Sequence, residues 1–190
     1  MSPPPHCGGE ERKRELFVII KTYQSKQVLM TLRSGKVHRA RKNLRFEVPY
    51  RALVEMFQLN CESPIFGYVK GRRFCTDGKV SDGVLLTLNV PDERIYLTEY
   101  NVWADYMYCV MHYTRPGQRT RLLANEEFTQ RQFDTMQKNL LEQRPLDSYE
   151  IPQAVFEEIR PEWLTKVEKR ENPLRTFINR VQSPGRFRSL

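Results

Sequence analysis

Cysteine is scarce in this chain of 190 residues, and its four positions, Cys7, Cys61, Cys75 and Cys109, have no metal-ligand spacing. In a chain this long they read as reduced thiols of a cytoplasmic protein, not as a disulfide framework. Histidine is scarcer still: His6, His38 and His112 stand too far apart for a sequence-local metal site. Long apolar runs are missing. The longest, 16–20, falls far short of the ~20 residues that span a bilayer and reads as a buried strand. No membrane partner is expected. Residues 1–9 are rich in proline and glycine and lack the apolar stretch of a signal peptide. Spacing shows neither a strand–GxxxxGK phosphate loop nor a Ser-His-Asp or Cys-His arrangement.

The most telling absence is acid in one place. Arg33, Lys36, Arg39, Arg41, Lys42 and Arg45, with His38 among them, occupy thirteen residues without a carboxylate. Cations that close repel one another and need an anionic counterpart or open water. The ribbon is either a solvated edge or a phosphate-contacting one; in the second case a nucleic acid or other polyanion is the partner. The net charge of +8 is also uneven. Residues 21–79 hold thirteen Lys or Arg against four acids, +9, which leaves −1 for the rest. A second basic set, Lys70, Arg72 and Arg73 with Tyr68 and Phe74, either stacks bases and holds phosphates or is a hairpin turn with its rings packed inward.

Hydrophobic residues make up 39% and charged residues 28%, enough apolar material for one domain with a core. Residues 1–14 read as a disordered lead-in, 15–170 as a single α+β domain and 171–190 as a basic tail. Strands are expected at 16–23, 65–69, 83–90, 94–97, 153–159 and 164–168. Ser25 caps a helix to about Arg33, with Val28, Leu29 and Leu32 on one face and Gly35 ending it. Further helices are expected at 50–59, with Pro49 in the first turn, at 99–113 and at 125–143. The ribbon falls in a loop or extended edge. In the aromatic helix Trp103 should be mostly buried. Trp103 and Tyr106 cannot share a stripe with Tyr108, so one of these rings should line a cleft.

One strand carries a chemical question. Alternation over 153–159 puts Gln153, Val155, Glu157 and Ile159 on one face and Ala154, Phe156 and Glu158 on the other. A carboxylate beside apolar neighbours is costly unless it is partnered or used. The other possibility is that Glu158 ends the strand and is solvated.

Four segments agree in order and spacing with one family. They are Thr22-Tyr23-Gln24-Ser25 with Val28-Leu29 and Gly35; 84–90 followed by Pro91-Asp92; Leu97-Thr98-Glu99-Tyr100-Asn101-Val102-Trp103; and 153–159 followed by Trp163 and Lys166-Val167. Together they resemble the bacterial family called domain of unknown function 3841, which has no established activity. The chain departs from that pattern where the family tends to have histidine after the tryptophan and Ala104 stands here. It departs again where Arg72-Arg73-Phe74-Cys75-Thr76-Asp77 replaces a Lys-Pro-Asp-Leu-type stretch.

The element order is similar to ADP-ribosyltransferase-like folds, with a small split antiparallel or mixed sheet flanked by helices. That likeness implies NAD as cofactor, held by Lys21 or Thr22 on the first strand. It implies that Glu158, with Gln153 beside it, orients the ribose and stabilises the cation that forms as nicotinamide leaves. Arg33, Lys36, Arg39, Arg41, Lys42, Arg45, Arg72 and Arg73 would hold nucleic acid. The resulting expectation is an ADP-ribosyltransferase-like domain acting on a nucleic acid or nucleotide through a basic face. The alternative is a non-enzymatic basic module that binds nucleic acid or an acidic protein.

Overall fold

A computed structural model of the chain describes residues 16–74, 83–114 and 126–169. The expected lead-in, the basic loop carrying Arg115, Arg119 and Arg121, and the basic tail lie outside the described residues. The remainder is α+β, with helices on both faces of an antiparallel sheet.

The sheet has six strands in the order β5-β6-β3-β1-β4-β8, every neighbour antiparallel. These are β1 (Phe17–Gln24), β3 (Ile65–Val69), β4 (Val84–Pro91), β5 (Tyr96–Glu99), β6 (Pro152–Phe156) and β8 (Leu164–Lys169). The remaining two strands, β2 (His38–Arg39) and β7 (Glu158–Ile159), form a separate ladder of their own.

Cross-strand register assigns the faces. Ile20 stands opposite Leu88 and Val69, Thr22 opposite Leu86, and Gly67 opposite Ala154. That face is covered by α1 (Lys26–Arg33), whose Val28, Leu29 and Leu32 join Ile20, Leu86, Leu88, Val90 and Phe156 in one core. Local chemistry makes the helix. Ser25 Oγ accepts from the Val28 N–H at 3.3 Å, and Gly35, at φ +74°, takes the left-handed conformation that ends it.

On the other face, α2 (Glu47–Met56), α3 (Tyr100–Thr114) and α4 (Glu126–Leu141) cover the β5-β6-β3 half. Leu53, Phe57, Trp103, Tyr106 and Leu140 pack there on Val155, Phe66 and Tyr96. Trp103 is 4% exposed and stacks on Phe66 at 5.7 Å, as the helical spacing of its neighbours predicts. Tyr106 is buried beside it, whereas Tyr108 is 64% exposed. Among the described residues no helix is long and apolar enough to cross a membrane.

Three expectations are corrected. Helix α2 holds Pro49 in its first turn as expected, where a proline removes no helical bond, but it stops at Met56, short of 59, and Gln58 takes φ +51°. The fifth strand is displaced to Tyr96–Glu99, since a 3₁₀ turn over Asp92–Arg94, with the Ile95 N–H donating to the Asp92 carbonyl, takes up the residues between. The single strand expected at 153–159 is two strands in two sheets. The pair Ile65↔Phe156 is the last of the β3–β6 ladder, so beyond it the chain has no partner in the large sheet. It breaks at Glu157, whose carboxylate accepts from the Asn60 N–H at 2.8 Å, and pairs with β2 instead.

Gly67 is where β3 crosses closest to β1. A β-carbon there would collide with Ile20 Cγ2 and stand 3.1 Å from the Lys21 carbonyl. Gly67→Ala should therefore lose about 1–3 kcal/mol in denaturant unfolding. Trp103→Ala should lose more, about 3–5 kcal/mol. A Gly67→Ala protein as stable as the wild type would show that the two strands can part freely.

Candidate functional site

The two central strands are paired very unequally. β1 is bonded to β4 through eight residue pairs, Phe17↔Pro91 to Gln24↔Val84. It is bonded to β3 through only two, Ile20↔Val69 and Lys21↔Tyr68. Past Lys21 the strands separate. The Thr22 hydroxyl, 1% exposed as a residue, closes the last step by donating to the Phe66 carbonyl at 2.6 Å, and it accepts from Gln24 Nε2 at 2.9 Å. A cavity of about 650 Å³ opens at this split, within the usual range of small-molecule sites.

Register builds the base of the cavity. Lys21 stands opposite Tyr68, Tyr68 opposite Gln153, and Gln153 opposite Thr98, so the four form one row across β1, β3, β6 and β5. Lys21, Tyr68 and Gln153 of this row line the cavity. The Thr98 hydroxyl lies 3.3 Å from Gln153 Oε1 and fixes that side chain. Burial, reinforced by Tyr23 and Glu168, pushes the Tyr68 phenol up to about 12, which keeps it a neutral hydrogen-bond donor.

Two walls rise from that base. One is aromatic: Tyr50, Phe66, Trp103 and Tyr100 on one side, and Phe74, stacked on Tyr68 at 4.2 Å with planes 12° apart, on the other. The second is the basic ribbon, which contributes Ala40, Arg41, Asn43 and Arg45. Arg41 and Arg45 are exposed, and no described carboxylate lies within ion-pair distance of either. Arg45 rests 5.2 Å over the Phe46 ring. Among the described residues the lining includes no aspartate and no glutamate. The cavity is thus cationic, rich in rings and supplied with amides at Gln24, Asn43 and Gln153.

Lys21, Thr22 and Gln153, which the ADP-ribosyltransferase likeness implies as one site, line the cavity together with Arg41 and Arg45 of the ribbon. The other candidates are placed elsewhere. Arg39 is bonded to Glu158, and Lys42 lies 2.7 Å from Glu47. Arg33 and Lys36 are exposed around the end of α1. Arg72 reaches Asp147 at 2.8 Å and the carbonyls of Leu146 and Tyr149, while Arg73 reaches Glu150 at 2.6 Å. These two fasten the turn after β3 to the segment before β6.

Glu158 is not in the cavity lining. Its side chain is 8% exposed, with Arg39 Nε and Nη2 at 2.9 and 2.8 Å from one carboxylate oxygen and Arg160 Nε at 2.6 Å from the other. Burial opposes its ionisation. The bonds and charges of the two guanidiniums outweigh burial and hold the carboxyl below its usual range. Cys61, by contrast, is pushed up to about 11 by burial and by Glu157, so it is a neutral thiol at physiological pH.

Sequence reading missed Gln24, Asn43 and most of the aromatic wall. Register brings in Gln24 and Phe66 on β1 and β3; Asn43 in the ribbon, Tyr50 on α2 and Tyr100 on α3 reach the cavity through tertiary packing. Ala104, and Phe74 from the stretch 72–77, both line the cavity. In comparisons with known proteins the chain matches no family model, no curated protein and no solved structure.

Glu158→Gln should lower stability by about 1–3 kcal/mol at neutral pH, since it removes charge from two charge-assisted hydrogen-bond partners. The two guanidiniums hold the folded carboxyl below its ordinary value of 4.5. The wild type's advantage is therefore complete above that value and disappears as pH falls through the folded one. Melting curves of the two proteins between roughly pH 7 and pH 3 should converge at the acid end. A gap that stays constant would show that charge is not what Glu158 contributes.

Proposed function

We propose that this chain is an ADP-ribosyltransferase-like domain that takes a nucleotide of the NAD class in the cleft between β1 and β3. One observation carries the reading: where the sheet splits, Arg41 and Arg45, together with Lys21, which is ion-paired to Glu168 at 3.6 Å, meet a wall of aromatic rings with no carboxylate among the described lining residues. Phosphates suit the cations, and a planar base or nicotinamide suits the rings. Lys21 supplies the charge the phosphate role needs and would share it with Glu168, 3.6 Å away, whereas the Thr22 hydroxyl is already bonded to the Phe66 carbonyl. The Gln153 amide, whose Oε1 accepts from the Thr98 hydroxyl, would address the ribose.

The resemblance to the domain of unknown function 3841 family belongs to this proposal. Its two most specific segments contribute Tyr100, Trp103 and Gln153 to the cleft. A nucleic acid or second nucleotide would then be the acceptor, approaching along the exposed cations of the ribbon. The second reading, a binding module without turnover, has its own support. The carboxylate expected to stabilise a sugar cation, Glu158, is bonded to two arginines and stands outside the lining.

Calorimetric titration with NAD tests the reading. The wild type should bind, and Arg41→Ala with Arg45→Ala should weaken binding by roughly tenfold to a thousandfold and flatten its salt dependence. Incubation with labelled NAD and a nucleic-acid panel then separates the two readings, because only an enzyme releases nicotinamide. A double variant that binds NAD as well as the wild type would remove this cleft as the site.

A further inference from the structure

We infer that Glu158 is a positioning residue: it clamps the basic ribbon in place as a wall of the cleft and so aims Arg41 at the ligand. On the N-terminal side of Arg41 the contact of Arg39 with Glu158 is the charged tie; Ala40 packs against the core, and Lys42 lies 2.7 Å from Glu47 on the far side. β2 is two residues long, and its ladder is with β7, where Arg39 stands directly opposite Glu158. The Glu158 side chain is 8% exposed and that of Arg39 56% exposed. The carboxylate is thus the anchored end of the contact and the guanidinium the end that would otherwise drift into water.

Arg160 fixes the anchor from behind. Its Nε bonds the second carboxylate oxygen at 2.6 Å, and its guanidinium lies 5.7 Å over the Trp163 ring, a member of the core. Two residues beyond Arg39, Arg41 lines the cleft. Lighter ties follow on its far side: the Lys42 N–H donates to Glu62 at 3.2 Å and the Asn43 N–H to Ser63 Oγ at 3.2 Å. Arg39, Arg41, Lys42 and Arg45 repel one another, and a carboxylate held between two guanidiniums offsets that repulsion at the base of the ribbon. With Glu158 neutral, the wall should swing outward and Arg41 should leave the cleft.

The ligand half of this inference rests on the nucleotide reading above; the ribbon half does not. The experiment combines hydrogen exchange of the full chain with calorimetric titration of NAD and, separately, of inorganic pyrophosphate. In Glu158→Gln and in Arg39→Ala the amides of 38–43 should exchange roughly tenfold faster or more, while those of β4 lose only the protection that the fall in global stability accounts for. Affinity for NAD and for pyrophosphate should fall by roughly tenfold. On an Arg41→Ala background, Glu158→Gln should produce no further loss, because its effect passes through Arg41.

Unchanged exchange in both variants would overturn the clamp. Faster exchange with unchanged affinity would overturn the positioning role, and so would an equal loss on the Arg41→Ala background. If the wild type binds pyrophosphate and not NAD, the nucleotide reading fails. The positioning role then stands or falls on pyrophosphate alone.

Discussion

The ladder between β1 and β3 is two residue pairs long, and the architecture of the site follows from that shortness. A sheet strand bonded on both edges along its whole length leaves no room for a ligand between neighbours. β1 is bonded fully on one edge, to β4, and parts from β3 after Lys21. The unpaired backbone at the fork must still be satisfied. The Thr22 hydroxyl does this at the Phe66 carbonyl, from a position buried to 1% exposure. Gly67, one position past the last pair, leaves room for Ile20 and the Lys21 carbonyl where the strands begin to diverge. Closeness at one step and separation at the next make a cleft with rigid sides, since both strands are tied to the sheet by their outer neighbours.

Charge in this chain is sorted by fold, not by sequence. Of the six ribbon cations, Arg39 and Lys42 have carboxylate partners, Arg41 and Arg45 face the cleft, and Arg33 and Lys36 face water. Arg72 and Arg73 tie a turn to the segment before β6. A run that looks uniformly basic therefore performs three physical tasks. Only the cations without partners remain available to an anion, and two of those are beside the aromatic wall. That wall has a double role. Trp103 and Phe66 belong to the core by burial and to the cleft by lining, so the same rings that stabilise α3 on the sheet shape the space a ligand would fill. Large rings serve both ends because one ring face can be packed while the edge or other face stays open.

Much of the fold was legible in order along the chain. The Ser25 cap, the apolar stripe of α1, the turn at Gly35, the strand at 65–69 and the buried aromatic helix are decided by groups within a few residues of one another. Steric and hydrogen-bonding preferences at that range are properties of the sequence itself. The concentration of cations was equally plain, and Lys21, Thr22 and Gln153 were singled out before their meeting place was known.

What the sequence could not determine was which distant groups meet. Arg39 and Glu158 are separated by 119 positions. No periodicity announces that one neutralises the other. The break at Glu157 depends on where β3 runs out, and the cleft depends on how many rungs β1 shares with β3. A strand's alternation fixes which residues share a face, but not which strand lies beside it or at what register. Local sterics therefore settled the elements from the sequence alone. Cross-strand register, set by the packing of the whole sheet, decided that Lys21, Gln153 and Arg41 border one cavity and that Glu158 lies outside its lining.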